Sequence, residues 1–240
     1  MPTKTINAII LSRKNWGEAD RLISSFSYES GKVKFVARGS RKLKSKMAGH
    51  IEPFSCGKFF LASGKSFDIL AGAEATSPNH KLIDNLNLYK DACYLCELVD
   101  LTQEENHTDK ELFSLIKECL NILPGLSDTN RKITLRFFEY KLLSRLGYKP
   151  NFFICKKCHK KLVEKEKYAG DFEGVFCDSC AGTQKNISKD TLKILRVIGE
   201  KPLSELLKIK NIDSYSNDLE VVISPFLYDI IPRPPKTKLL

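Results

Sequence analysis

Four cysteines in the second half of the chain have the spacing of a metal site. Cys155 and Cys158 form one C-x-x-C pair, and Cys177 and Cys180 form a second pair downstream. Each pair turns two thiolates toward one point, and a hairpin between the pairs brings all four together as a tetrahedron. Because four thiolates leave no open coordination position, the spacing predicts a structural Zn²⁺ rather than a catalytic one.

Three other cysteine chemistries fit these residues less well. The segment from Cys155 to His159 spells the C-x-x-C-H haem attachment motif, but that interpretation requires export and leaves the second pair without a task. A zinc deaminase needs His-x-Glu and then Pro-Cys-x-x-Cys. His50 and Glu52 supply the first part, whereas Ile and Phe stand in the two proline positions. A thioredoxin-like redox site needs a β-α-β pattern that the surrounding sequence lacks.

The remaining cysteines are predicted to be packing residues. Cys93 and Cys96 lie three apart on an apolar helical face, and Cys56 and Cys119 fall within a predicted strand and a predicted helix. Reduced cysteine behaves as a small hydrophobic side chain in such positions. We therefore expect these four thiols to be buried and to have no part in the metal site.

A basic segment in the first third of the chain is the second candidate for function. Between Ser30 and Ile51 the sequence contains no Asp or Glu. Gly39 and Ser40 give a backbone that can approach phosphates closely, and the segment follows a strand of a predicted barrel of a kind that binds single strands. We expect phosphate contacts from Arg38, Arg41, Lys42, Lys44 and Lys46, with Lys32 and Lys34, which share one strand face, as secondary candidates.

The overall charge favours a polyanionic partner. Lys and Arg total 39 against 29 acidic residues, which gives a net charge of +10. An excess of this size is typical of proteins that bind nucleic acid or anionic membrane surfaces. The sequence has no apolar run near the ~20 residues of a membrane span and no signal peptide. We therefore expect a cytoplasmic, nucleoid-associated protein with reduced thiols.

The first 78 residues are predicted to form an OB-fold, a small β-barrel. Short β-rich runs follow one another without a long helix between them, and turn residues occur at Ser30-Gly31 and at Ser63-Gly64-Lys65. Alternation places Val33, Phe35 and Ala37 on one face of the third run. The predicted strands are Thr5–Leu11, Leu22–Phe26, Lys32–Ala37, Ile51–Ala62 and Phe67–Ala71.

The apolar period changes to that of a helix near Ser77-Pro78-Asn79, so residues 79–240 are predicted to form an α-helical domain. Helices are expected over residues 82–99, 112–123 and 133–146, with Gly147 as a C-terminal cap, and again after the cap Ser188. The zinc module falls at about residues 151–184. The tail from Pro232 is predicted to be a loose end. The fold class is thus α+β, with an N-terminal OB-fold barrel and a helical domain that carries the four-cysteine module.

Enzymatic motifs are weak in this sequence. Gly64-Lys65-Ser66 resembles the end of a P-loop, but Phe59 stands where the first glycine belongs. A nuclease needs clustered carboxylates for Mg²⁺, and the nearest pair, Glu18 and Asp20, is better explained as a structural turn. The sequence predicts a non-enzymatic binding protein. The alternatives are an RNA-binding zinc protein of translation or transcription and, behind it, a nuclease.

Taken together, these features resemble the RecO family of bacterial recombination mediators. Five segments follow the order and spacing of that family. They are the opening strand with its W-x-E-x-D-type turn, the A-[KR]-G-x-[RK]-type segment, the next strand, and two stretches of the helix that leads to the metal site. These matches lie at Ile10–Asp20, Val36–Arg41, Ile51–Phe54, Arg136–Leu143 and Leu146–Pro150. The resemblance extends from about residue 5 to residue 230.

The resemblance implies both a fold and an activity. It implies an N-terminal OB-fold, a helical C-terminal domain with the zinc module, and binding of single- and double-stranded DNA. It further implies annealing of complementary strands and loading of RecA onto DNA coated with single-stranded-DNA-binding protein (SSB). The implied partners are RecR and the acidic C-terminal tail of SSB. Since some members of this family lack zinc cysteines, the metal is expected to be a scaffold.

Overall fold

The computed structural model of the protein describes residues 3–76, 80–163, 168–171 and 174–239. The chain forms two compact units. The first contains Met1–Pro124 together with the tail Pro232–Leu240, and the second contains Gly125–Ile231. The domain boundary predicted at residues 78/79 lies outside the described residues.

The first unit contains a closed five-stranded barrel with the strand order β1-β2-β3-β5-β4. Neighbouring strands are antiparallel except β3 and β5, which pair in parallel through Phe35↔Asp68 and Val36↔Ile69. This is the arrangement expected for an OB-like fold, and the prediction of such a barrel is confirmed. The strands are β1 (Thr3–Trp16), β2 (Asp20–Ser27), β3 (Gly31–Ala37), β4 (Cys56–Ala62) and β5 (Asp68–Thr76).

Alternating side chains fill the barrel as the sequence pattern predicts. Val33, Phe35 and Ala37 of β3 all belong to its apolar core. Phe26 of β2 is fully buried as well, so neither Phe26 nor Phe35 can offer a ring to a ligand. Removing a buried aromatic side chain from such a core costs roughly 3–5 kcal/mol.

The fourth strand begins later than the sequence pattern predicts. Residues Ala48–Ile51 form a 3₁₀ turn, and Phe54 adopts a left-handed backbone conformation with φ of 71°. Phe54 donates its backbone N–H to the carbonyl of Ile10 at 2.8 Å, and Ile10 donates to the carbonyl of Ser55 at 2.9 Å. The apolar side chains that suggested a strand from residue 51 are therefore buried by a turn that packs on β1, and strand pairing starts at Cys56.

In the part of the first unit that the structure describes, three α-helices follow the barrel. They are α1 (His80–Asp84), α2 (Leu86–Thr102) and α3 (Lys110–Ile122). The single helix predicted over residues 82–99 is interrupted at Asn85. The side chain of Asn85 accepts hydrogen bonds from the backbone N–H groups of Asn87 and Leu88 and so begins α2 as its N-cap.

The tail, predicted to be loose, is docked on α2. Glu97 of α2 accepts hydrogen bonds from the backbone N–H groups of Lys236 and Thr237, each at 3.0 Å, and from Nη1 of Arg233 at 2.9 Å. The two N–H donors belong to the start of a short 3₁₀ turn at Lys236–Leu239. A carboxylate is stabilised at such a position because these N–H groups have no partner within the turn.

Within the described residues, the second unit contains four α-helices and a three-stranded sheet. The elements are α4 (Asp128–Arg145), β6 (Tyr168–Asp171), β7 (Gly174–Cys177), β8 (Lys185–Ile187), α5 (Lys189–Val197), α6 (Leu203–Leu206) and α7 (Ser216–Ile230). Helix α4 has Ser127 as its N-cap, ends near Gly147, whose φ is 87°, and packs against α7. Helix α5 is capped by Ser188, as predicted.

An ion pair lies inside the second unit between α4 and α7. Arg136 binds the carboxylate of Glu139 at 2.8 Å, and Ser224 of α7 donates to the same carboxylate at 2.9 Å. Glu139 is fully buried.

None of the helices in the described part of the chain is both long enough and apolar enough to cross a membrane.

Candidate metal centre and nucleic-acid interface

The four predicted metal ligands come together in the second unit. The Sγ atoms of Cys155, Cys158, Cys177 and Cys180 all lie within 4.8 Å of one another. Cys158 Sγ and Cys177 Sγ are 3.8 Å apart. A tetrahedral Zn²⁺ with Zn–S bonds of about 2.3 Å requires sulfur atoms about 3.8 Å apart. The cluster therefore has the donor set and the dimensions of a four-thiolate metal site.

Backbone hydrogen bonds hold each half of this cluster in place. Cys155 donates its N–H to the carbonyl of Lys160 at 2.8 Å and accepts from the N–H of His159 at 3.0 Å, which closes the first C-x-x-C turn. Lys156 donates to the carbonyl of Val175 in β7 at 2.9 Å, so the first turn is fixed to the sheet. The second pair lies at the end of β7 and in the 3₁₀ turn that follows it.

The thiols of the cluster compete for negative charge. Burial opposes ionisation of Cys155, but backbone N–H groups, that of Cys158 first, outweigh it and lower its pKa to about 6. Burial and then hydrogen bonds with the neighbouring thiols raise the pKa of Cys180 to about 12. One ionised thiol thus disfavours ionisation of the next, and a divalent cation at the centre removes this conflict by stabilising all of them as thiolates.

The residues of the competing motifs have other contacts. His50 Nδ1 lies 3.1 Å from the carbonyl of Ala75, and Glu52 forms an ion pair with Arg13. The cluster uses both C-x-x-C pairs, which the haem interpretation does not. Of the other cysteines, Cys96 and Cys119 are buried, as predicted, whereas Cys56 and Cys93 are only half-buried.

The basic segment forms a loop that is pinned at its start. Asp20 accepts a hydrogen bond from the N–H of Gly39 at 2.7 Å, so this carboxylate supports the turn. The side chain of Arg41 donates to the carbonyls of Gly17 and Glu18 at 3.1 and 2.8 Å. Beyond these anchors the cations project into solvent. The exposed residues are Arg38, Arg41, Lys42, Lys44 and Lys46; we refer to residues 38–46 as the basic loop.

Lys32 and Lys34 lie apart from the basic loop and have intramolecular partners. Lys32 Nζ donates to the carbonyls of Asp100 and Gln103 at 2.5 and 3.2 Å and lies 3.3 Å from the Asp100 carboxylate. Lys34 Nζ lies 2.6 Å from the carboxylate of Glu105. Both ammonium groups are therefore engaged by the segment at and after the end of α2.

A groove on the barrel adjoins the basic loop. It has a volume of about 640 Å³ and is lined by Trp16 at the end of β1, Phe67 before β5, Arg38 of the basic loop and Lys65 of the β4–β5 turn. The rings of Trp16 and Phe67 meet edge to face with centroids 5.8 Å apart, and Trp16 is 47% exposed. We refer to it as the barrel groove. Sequence reasoning missed Lys65 and Phe67 as site residues, although it predicted a turn that ends at Lys65 and a strand that begins at Phe67.

Comparisons with known proteins agree with this geometry. A family model described as recombination protein O N terminal matches residues 1–79, and one described as recombination protein O C terminal matches residues 85–238.

Relatives match over nearly the full chain. A DNA repair protein RecO of Dehalococcoides mccartyi strain CBDB1 is 32% identical over 97% of this chain and 92% of its own length. Proteins with the same name from Roseiflexus sp. strain RS-1 and Desulforamulus reducens are 32% and 28% identical, over 96% and 97% of this chain and 82% and 91% of their own lengths.

Proposed function

The chain belongs to the RecO family of DNA repair proteins, and from this premise we propose that it is a non-enzymatic mediator that anneals complementary single strands at the nucleoid. In this proposal it also helps to load RecA onto SSB-coated DNA together with RecR. The observation that carries the proposal is the anchored basic loop beside the barrel groove.

The basic loop supplies positive charge in a form suited to phosphates. Arg38, Lys42, Lys44 and Lys46 are exposed, while Arg41 has an exposed side chain that also fixes the loop to the turn after β1. Single strands repel each other because each carries phosphate charge. A cluster of cations neutralises this charge and releases condensed counterions.

Annealing requires that bases remain free to pair. Contacts to phosphate leave the base edges open, and an aromatic face holds an unpaired base by reversible stacking. The barrel groove combines both kinds of contact, because Trp16 and Phe67 lie in it with Arg38 and Lys65. In this mechanism the loop holds the backbone of a strand, and the groove accepts bases only transiently.

The four-cysteine cluster serves this function as a scaffold. We propose that Cys155, Cys158, Cys177 and Cys180 bind a structural Zn²⁺, which supplies a cross-link between the first turn and the end of β7. Complete thiolate coordination leaves no position for a substrate or an activated water. The proposed partners are single- and double-stranded DNA, RecR and the acidic SSB tail, with RecA acting downstream.

Binding of a labelled single strand over a range of salt concentrations tests the proposal. Reversing the charge of two loop residues in the variant Arg41→Glu/Lys42→Glu is expected to weaken binding to all sequences and to flatten its salt dependence. The strand should remain at full length when Mg²⁺ is added. Unchanged affinity of the variant, or Mg²⁺-dependent degradation of the strand by the pure protein, would contradict the proposal. A strong preference for RNA would favour the alternative of an RNA-binding zinc protein.

A further inference from the structure

A second groove lies in the other unit, beside the four-cysteine cluster. It has a volume of about 380 Å³, and its lining includes Tyr148, Lys149, Asn151, Lys156, His159 and Phe226. Among the described residues that line it, none is acidic. We refer to it as the knuckle groove, because the first C-x-x-C turn forms one wall.

The fold holds the polar residues of the knuckle groove in defined positions. Lys156 donates its backbone N–H to the carbonyl of Val175. The side chain of Lys156 passes over Gly174, and a Cβ atom added to Gly174 would lie 3.4 Å from Lys156 Cβ. His159 adopts a left-handed conformation with φ of 59°, at the close of the cysteine turn. The four-cysteine cluster thus positions Lys156 and His159, two polar residues that line the groove.

The knuckle groove continues into a second cavity of about 290 Å³. The two share Lys149, Pro150 and Asn151, and the second is also lined by Phe153, Arg196 and Glu200. Over both cavities the cationic side chains therefore outnumber the one carboxylate among the described lining residues. The guanidinium of Arg196 lies 5.2 Å from the centroid of the Phe153 ring. A track built from two adjoining cavities fits a chain of repeated units better than a single small molecule.

Aromatic faces and cations occur together along this track. Tyr148 and Phe153 are 58% and 53% exposed, and they share the two cavities with the exposed residues Lys149 and Lys156 and with Arg196. Exposed rings near cations match the base and phosphate pattern of a single-stranded nucleic acid. An acidic peptide would use the cations but would have no need of exposed flat rings.

We propose that the knuckle groove and its continuation form a second binding site for single-stranded DNA, which presupposes the strand binding proposed for the barrel. Each unit of the chain then carries one strand site. One protein molecule can therefore bind two strands at once. Complementary strands then meet on the same protein molecule, and no encounter between two separate protein–DNA complexes is needed.

Counting the strands bound by one chain tests this proposal. Short, non-complementary single strands are titrated into each protein at concentrations far above the dissociation constant. Each variant used must match the wild type in zinc content and in thermal unfolding. The wild type is expected to bind two strands per chain. The variant Tyr148→Ala/Lys149→Glu should bind one, and its remaining site should keep the wild-type affinity. Tyr148→Ala alone should weaken the second binding step at least about fivefold, the effect of losing one base stack.

Two further variants separate this site from the barrel site. Lys210→Glu, a charge reversal at an exposed lysine outside the knuckle groove, should still bind two strands. Arg41→Glu/Lys42→Glu should bind one strand through the knuckle groove. Two strands per chain in the knuckle-groove variant would overturn the second site while leaving the barrel function intact. Displacement of the second strand by an acidic peptide at lower concentration than by an oligonucleotide of equal charge would assign the groove to a peptide instead. A wild-type protein that binds no strand would refute the proposed function itself.

Discussion

Neutralising two exposed lysines of the basic loop should change the salt dependence of DNA binding by a predictable amount. The variant Lys42→Gln/Lys44→Gln removes two of the five exposed loop cations and leaves the anchor of Arg41 in place. Each phosphate contact on a single strand contributes about −0.7 to the slope of log affinity against log salt concentration. The slope should therefore become less negative by about 1.4 if both lysines contact phosphate.

The corresponding change in affinity is large enough to measure. With five contacts the slope is about −3.5, so affinity should fall roughly 100-fold between 50 and 200 mM salt. With three contacts the slope is about −2.1, and the fall should be about 20-fold. Fluorescence anisotropy of an end-labelled oligonucleotide at several salt concentrations gives both slopes.

A matched variant outside the loop provides the control. Lys32→Gln/Lys34→Gln removes the same formal charge, but these ammonium groups already bind Asp100 and Glu105. Its slope should equal that of the wild type, and its cost should appear in thermal unfolding instead. An equal loss of slope in both double variants would refute the reasoning, because net charge and not the loop would then control binding.

Three further predictions concern the parts that support the site. Cys155→Ser should reduce bound zinc below one ion per chain and lower the unfolding temperature, as measured by metal analysis and calorimetry; full zinc content would contradict the four-thiolate assignment. Hydrogen bonds to Glu97 outweigh its burial and lower its pKa from the ordinary value of 4.5. Docking of the tail at residues 232–240 should therefore be complete at neutral pH and be lost as the pH falls through that lowered pKa, while Glu97→Gln should expose the tail to trypsin at pH 7. Arg136→Met removes the cation beside the buried Glu139 carboxylate and should lower the free energy of unfolding by about 3–5 kcal/mol in urea titrations; a loss below about 1 kcal/mol would show that the pair is not important for stability.

The barrel and the four-cysteine cluster could be predicted because their signals are local. Alternation in β3 follows from the two-residue period of a strand, and the cysteine pairs meet because each C-x-x-C turn is a compact unit. The cap Ser188 is likewise a short-range feature, because its side chain accepts a hydrogen bond from the N–H of Thr191, three residues further on. Asn85 also acts through the next three residues, but the apolar pattern continues across it and conceals the break between α1 and α2.

The features that were missed depend on partners far away in the sequence. Glu97 binds the tail across about 140 residues of chain, and composition alone cannot reveal such a partner for a segment rich in proline and lysine. Lys32 and Lys34 look like free surface cations until α2 brings Asp100 and the loop after it to the barrel. The barrel groove depends on closure of the barrel, which brings the turn with Lys65 close to Trp16.

Annealing of two complementary fluorescent strands, each coated beforehand with SSB and mixed without nucleotide, tests the central claim most directly. The wild-type protein should accelerate annealing, the acceleration should fade as salt rises, and Lys42→Gln/Lys44→Gln should reduce it more than Lys32→Gln/Lys34→Gln does. Folded, zinc-loaded protein that leaves the annealing rate unchanged would contradict the claim that this chain is a strand-annealing mediator.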